Sequence, residues 1–313
     1  MWNFYERPFQ TPPAQRYGYP QDSQVCATST PDVLIVVHSE ANNFYDRLMI
    51  RFTWAAPRYR TINGIHFRTV FFLGVPGELS WKWNSSGTHS SHMTSDLLNL
   101  GIKRRDRAGV IAKIKEESKQ YGDIVQGNFT EAYRNLTIKN IMVMNWVLSR
   151  CPKIQYILKV DTDVVVNLHN VVRFIQHRSH NNTGLLLCSQ MKAKPAIRST
   201  SSKWYVTENE YPFSYYPPWC LGFGILMSRD VVQQLYLASR DVRAFWIDDV
   251  YVTGFLAMKA GVQVTALGGN HTAQLGGKFK ADSVNAMFTL ADFFKINTTA
   301  FRYWEQLVTS QTL

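Results

Sequence analysis

Short β-branched and aliphatic runs recur between stretches of helical pattern, and this alternation constrains the chain more than any other feature. Val33-Leu-Ile-Val-Val37 has the composition and length of a buried strand, and Thr69-Val-Phe-Phe-Leu73, closed by Gly74, reads the same way. Further strands are expected at Asp123-Ile-Val125, Ile154 to Val160, Leu185 to Cys188 and Gly224 to Met227. Helical pattern fills the intervals. The first helix spans Asn43 to Trp54, with Leu48, Ile50 and Phe52 read as its apolar side. A charged helix runs from about Asp106 to Gln120 and breaks at Tyr121-Gly122. The next, about Tyr133 to Ser149, buries Ile141, Met144 and Leu148 and is stopped by Cys151-Pro152. Two more cover about Asp230 to Ser239 and Val250 to Lys259. Strands alternating with helices predict a layered α/β sheet. Residues 1–31, rich in Pro, Gln, Tyr and Ser, read as a tail or linker, and Glu78 to His92 as a loop.

Composition narrows the function classes. Lys and Arg number 34 against 23 Asp and Glu, so 34 − 23 gives a formal charge of +11, which favours anionic partners over cationic ones. Basic residues are scattered and do not interleave with aromatics as nucleic-acid binding requires, so no nucleic-acid partner is expected. The apolar runs fall far short of the roughly 20 residues of a membrane helix. No signal-peptide pattern follows Met1. Four cysteines, Cys26, Cys151, Cys188 and Cys220, have no zinc spacing and allow two disulfides in three connectivities, or free thiols. Six N-glycosylation sequons, at Asn84, Asn128, Asn135, Asn181, Asn270 and Asn297, lean towards a secretory lumen.

Chemistry concentrates in two places. Lys159-Val-Asp161-Thr-Asp163 sets two carboxylates two residues apart at the end of a buried strand, where α/β proteins bind ligands. Strand periodicity sends both to one face. Hard oxygen ligands of this kind suit Mn²⁺ or Mg²⁺ bridging phosphates, although an isolated pair is also a commonplace solvated turn. Asp248-Asp249 opens a helix, where carboxylates serve as caps. Adjacent carboxylates also compete for ionisation, so one can be held with a raised pKa suited to a general base, walled by Phe245, Trp246 and Tyr251. Hydride transfer, P-loop hydrolysis and serine hydrolysis lack their motifs. Gly222-Phe-Gly224 has Met227 where a third Gly would stand, and no Walker loop, GxSxG or HExxH occurs.

Taken in order, the motifs resemble the β-1,3-glycosyltransferases of the galactosyltransferase family. Arg47-Leu-Met-Ile-Arg51-Phe-Thr53-Trp54 is similar to the family's RxxIRxTW element, and Val70 to Gly74 to its second strand. Glu116-Glu117 with Tyr121-Gly122-Asp123, Tyr133-Arg-Asn-Leu136-Thr137-Ile-Lys139 and Asp161-Thr-Asp163 follow in the family's order. So do Lys203-Trp204-Tyr205, Tyr216 to Gly224 and Asp248-Asp249-Val250-Tyr251-Val252. The likeness runs from about Asp32 to Gly261. It departs at Asn128 and Glu131, where the family carries aspartates, and at Thr253, where it carries Gly.

The resemblance implies a GT-A-type nucleotide-sugar-binding fold, with a mostly parallel central sheet flanked by helices, and a catalytic domain over residues 32–313. It implies inverting transfer of a hexose, galactose first, from a UDP-sugar to a glycan, glycoprotein or glycolipid acceptor in β-1,3 linkage. Transfer of N-acetylglucosamine or N-acetylgalactosamine, or a non-catalytic glycan-binding role, remain the alternatives. On this basis Asp161, Asp163 and His271 are the metal ligands for Mn²⁺ or Mg²⁺, and Asp249 is the catalytic base. Arg47, Arg51, Trp54, Asp161, Lys203 and Trp204 border the nucleotide sugar, and Cys151 is expected to pair with Cys220. A Golgi location is expected, through a membrane anchor absent from this sequence.

Overall fold

In the computed structural model, which describes residues 18–27, 30–77, 107–178, 182–268, 272–274, 287–290 and 304, the apolar runs become the middle of an eight-stranded sheet. All six residues of β1 (Val33–His38) are buried. Next come α1 (Phe44–Phe52), β2 (Thr61–Ile62), β3 (Ile65–Val75), α2 (Arg107–Tyr121), β4 (Ile124–Thr130), α3 (Leu136–Arg150) and β5 (Tyr156–Asp161). The second half holds β6 (Val164–Val166), α4 (Leu168–His177), β7 (Leu186–Met191), β8 (Trp219–Ser228) and α5 (Arg229–Ala238). It closes with the π-helical α6 (Val250–Leu256), α7 (Ala257–Ala260), β9 (Thr265–Ala266), β10 (Thr272–Gln274) and β11 (Phe288–Leu290).

The sheet order is β3, β1, β5, β8, β7, β9, with β2 and β4 both on the outer edge of β3. β4, β3, β1 and β5 run parallel, and β8 lies antiparallel to both neighbours. The expected mostly parallel sheet with flanking helices is therefore present. Asn63 (φ 46°) and Gly64 (φ 80°) make the two-residue turn that pairs β2 with β3. Strand alternation divides the core. Leu34, Val36, Val70, Phe72 and Ile157 face Trp146 of α3, whereas Val33, Ile35, Val37, Phe71 and Leu158 share a cluster with Trp54 beyond α1.

Three expectations change. Phe52 is 66% exposed, and the buried face of α1 is Asp46, Arg47 and Ile50. At 3.6 residues per turn, positions two apart diverge by about 200°, so Leu48, Ile50 and Phe52 do not form one stripe. The disulfides are Cys26–Cys151 and Cys188–Cys220, not Cys151 with Cys220. Cys188 and Cys220 lie on the paired strands β7 and β8, next to the register shift at Cys188/Gln190. Finally, the stretch read as a tail is fastened to the domain from Gly18 on. Asn128 and Gln126 donate backbone N–H groups to Gly18 and Gln21, Trp146 Nε1 donates to Asp22 at 2.6 Å, and Tyr19 donates its hydroxyl to the Met142 carbonyl.

Among the described residues, no helix is long and apolar enough to cross a membrane. The Cys26–Cys151 bridge closes 125 residues of sequence and anchors this strap to the end of α3. Replacing both cysteines by serine should cost about 2–4 kcal/mol, because the unfolded chain regains that loop's freedom. Urea unfolding without reductant should show a lower midpoint, and an unchanged one would mean that the strap's hydrogen bonds suffice.

Candidate active site

Chain order reverses at β1: the strands that follow it, β3 and β4, lie on one side, and β5 lies on the other. His38 is in register with Asp161, so the carboxyl ends of β1 and β5 open one crevice at this reversal. Asp161 ends β5 half-exposed, and Asp163 is exposed two residues on. Lys159, two residues earlier on the same face of β5, is buried, and its Nζ donates to Asp161 Oδ1 at 2.7 Å and to the Gly222 carbonyl at 2.5 Å. Burial alone would lower the Lys159 pKa, but the carboxylates of Asp161, Asp248 and Asp249 outweigh it and raise the value.

Gly222 faces both ways. Its carbonyl takes the Lys159 proton donor, and its N–H donates to Asp249 Oδ2 at 3.0 Å. A Cβ at position 222 would overlap the Asp249 carboxylate, and one at Gly224 would lie 2.6 Å from the Phe288 ring. These two glycines exist for close packing, consistent with the missing third Gly of a dinucleotide loop. Asp248 accepts from Asn140 Nδ2 at 2.9 Å. Desolvation, followed by the Asp248 charge, holds the Asp249 carboxyl well above its ordinary range, and desolvation likewise raises Asp248. Phe245 and Tyr251, which flank the pair in sequence, are buried, and Trp246 is half-buried. Thr253 fixes the start of α6: its hydroxyl donates to the Asp249 carbonyl at 2.6 Å and accepts the Cys220 N–H at 2.8 Å. π-Helical turns of this kind concentrate at functional sites.

An aromatic rim adjoins the carboxylates. Trp204, 42% exposed, donates Nε1 to the Tyr133 hydroxyl at 3.0 Å, and Lys203 Nζ sits 4.3 Å above the Trp204 ring. Tyr133 meets Trp246 edge-on at 6.3 Å, and the Arg134 guanidinium lies 4.4 Å over Trp246. Burial raises the Tyr133 pKa, and Asp248, Asp249 and Asp161 add to it.

Other candidates lie elsewhere. Arg47 is fully buried and spends its guanidinium on Glu117, the Ser39 hydroxyl and the Glu40 and Ala41 carbonyls. It props up the loop after β1 from beneath. Arg51 grips Asp123 with two bonds of 2.7 and 2.8 Å and, with a third, the Glu117 carboxylate that Arg47 also holds. With Trp54, Tyr59, Phe67, Phe71 and Tyr121, it lines a cavity of about 450 Å³. Trp54 is wholly buried core. His271 falls outside the described residues, among which no group of three or more His, Cys, Asp or Glu gathers to hold a metal.

Four further side chains join the site beyond those the motifs single out. Lys159 carried a readable signal, two positions from Asp161 on a strand. Asn140 and Tyr133 reach the site only through the path of the chain. His38 is buried and neutral, its pKa lowered by burial and by Lys159 and Lys139, and neither ring nitrogen has a hydrogen-bond partner. Nothing in its local sequence marked it.

The buried arginine cluster supplies a test of its own. Hydrogen bonds and charge from Arg47 and Arg51 overcome burial and lower the Glu117 pKa, so this stabilisation is present above the ordinary carboxylate range and is lost as pH falls through the depressed value. Glu117→Gln should cost about 3–5 kcal/mol by leaving Arg47 buried without a counter-charge. Calorimetry at neutral pH checks this, and a variant of near-native stability would sink the pairing.

Comparison with known proteins gives the same direction. The family model described as galactosyltransferase matches residues 80–268. The chain is 27% identical to human beta-1,3-galactosyltransferase 5 over 289 residues, covering 91% of this chain and 81% of that protein. It is 30% identical to the Gorilla gorilla gorilla protein of that name over 230 residues, 72% of this chain and 65% of that one. It is also 30% identical to human UDP-GalNAc:beta-1,3-N-acetylgalactosaminyltransferase 1 over 230 residues, 72% of this chain and 60% of that one. The chain thus spans a little under two thirds of the length of some of these relatives. A solved glycosyltransferase involved in glycosylation of the major capsid of PBCV-1 covers 89% of this chain at 11% identity and a TM-score of 0.40. With the family model matched over more than half of its length, this chain belongs to the galactosyltransferase family.

Proposed function

We propose that the protein transfers a hexose, galactose first, from a UDP-sugar to a hydroxyl of a glycan, glycoprotein or glycolipid acceptor, with inversion and in β-1,3 linkage. The observation that carries this reading is the Asp249 carboxylate, held by the Gly222 amide in a partly dry wall and linked through Gly222 and Lys159 to Asp161. Asp249 takes the proton of the acceptor hydroxyl as its oxygen attacks the anomeric carbon. The bond from that carbon to the diphosphate breaks on the opposite face, and UDP leaves with the electron pair. The Gly222 N–H, by gripping one oxygen, orients the carboxylate for this work. The Tyr133–Trp204 rim offers flat apolar faces with hydrogen-bonding edges, the surface on which sugar rings stack, and Lys203 adds a cation beside it.

Asp161 and Asp163 fit a hard divalent cation, Mn²⁺ or Mg²⁺: both are carboxylates, they share one strand end, and both reach solvent. His271 is retained as a candidate third ligand. Bound there, the cation supplies Lewis-acid stabilisation of the leaving diphosphate. The names of relatives support galactose and N-acetylgalactosamine alike. Donor choice rests on a few pocket contacts, so both remain in the test. Two disulfides support an oxidising compartment, and we place the protein in the Golgi lumen.

Incubation with UDP-galactose, UDP-N-acetylgalactosamine and UDP-N-acetylglucosamine, with Mn²⁺ and simple glycoside acceptors, should release UDP from one donor. Asp249→Asn should lower turnover by about 10²–10⁴-fold with UDP–Mn²⁺ binding kept. Asp163→Ala should lose that binding. Wild type that is silent on every donor, and binds UDP no better than Asp163→Ala, overturns the reading.

The raised pKa of Asp249 also fixes a pH dependence. The base works only when ionised, so turnover should fall on the acid side, with a midpoint above the ordinary carboxylate range. Burial, then the charges of Asp248 and Asp161, push that limb up, and Lys159 pulls it down. An acid limb at or below the usual aspartate value would exclude Asp249 as the titrating base.

A further inference from the structure

We infer that Asn128 carries an N-linked glycan on the outer face of β4. The sequon Asn128-Phe129-Thr130 lies wholly on this strand, and strand alternation sorts its three side chains. Asn128 and Thr130 are exposed on one face, whereas Phe129 is 3% exposed and turns inward against Gly74 and Gly127. The Asn128 backbone is already committed, since its N–H donates to the Gly18 carbonyl on the strap. A glycan on the side chain therefore disturbs neither the sheet edge nor the core. The two disulfides supply the independent condition, an oxidising compartment of the kind in which this modification occurs.

The other sequon lying wholly in the described residues is built differently. Asn135 is half-buried and donates Nδ2 to the Thr130 carbonyl at 2.8 Å. Its Thr137 is buried, with its hydroxyl on the Phe245 carbonyl. Asn135 also stands two residues from Tyr133, on the rim of the site. Of the two, Asn128 has the room.

The chemistry balances with a lipid-pyrophosphate-linked oligosaccharide as co-reactant. Asn128 Nδ2 forms a bond to the anomeric carbon, the bond from that carbon to the pyrophosphate oxygen breaks, and the lipid pyrophosphate leaves. One amide proton is released. Transfer takes place on the extended chain, and the fold then has to leave the sugar outside, as the exposure of Asn128 does.

The test is to express the full chain in animal cells behind a cleavable secretory leader. Peptide-N-glycosidase digestion in heavy-oxygen water then maps labelled positions by mass spectrometry. Label at position 128 is expected, and Asn128→Gln and Thr130→Ala should each lose one glycan in mobility, whereas Thr130→Ser keeps it. The melting temperature of Asn128→Gln reports whether that variant folds, and the Thr130 pair gives the same answer without touching the asparagine. An unlabelled position 128 overturns the inference, whether Asn135 is labelled instead or no sequon is. UDP-sugar turnover plays no part in this readout, so the glycan and the transferase reading fail separately.

Discussion

Lys159 enters the interior between the apolar residues Leu158 and Val160, and it stays charged there because the carboxylates of Asp161, Asp248 and Asp249 outweigh its burial. Its two hydrogen bonds tie the end of β5 to β8, and β8 in turn grips Asp249 at the start of α6. One cation thus sets the spacing of the two acidic pairs, which arrive from segments nearly ninety residues apart in the chain. A buried ion is expensive unless its partners are fixed, so this arrangement also demands rigidity of the backbone around Gly222. The glycine is part of that demand, because the Asp249 carboxylate occupies the space of its missing side chain.

The same economy runs through the remaining charged residues of the family's motifs. Arg47 and Arg51 meet Glu117 and Asp123, and Lys139 meets Glu131, in pairs of 2.6 to 2.8 Å. Residues that look like ligand contacts on paper are instead partners of one another, and they bolt α1, α2, α3 and the strand ends together. Two departures from the family pattern find work in this frame. Glu131 caps the Gly74 N–H at 2.6 Å while holding Lys139, and Thr253 stitches α6 to β8 through two hydrogen bonds.

Strand and helix periodicity carried much of the architecture. Val33 to Val37 and Val70 to Leu73 are apolar runs buried on both faces, and Tyr156 to Leu158 adds a third, so their role as inner strands was legible. Asp161, Asp163, Asp248 and Asp249 were legible as well, because carboxylates at a strand end and a helix start are unusual enough to notice. Phe52 shows the limit of composition, because its angle around α1 turns it away from the buried face of Asp46, Arg47 and Ile50. The partners of the arginines were not legible: a guanidinium's partner is chosen in three dimensions, and Glu117 and Asp123 lie about seventy residues away from Arg47 and Arg51.

What the sequence determined by itself was local: which runs are strands and helices, where the acidic pairs stand, and which family's order of motifs the chain follows. Tertiary structure alone decided which charges meet. It set Cys26 on Cys151 and Cys188 on Cys220, turned Arg47 and Arg51 inward, and drew Lys159, Asn140 and Tyr133 to the cluster of Asp161, Asp248 and Asp249. The physical reason is range. Propensity and periodicity act over a few residues, whereas desolvation forces each buried charge to find its partner, and disulfide geometry each cysteine, wherever the folded chain places one.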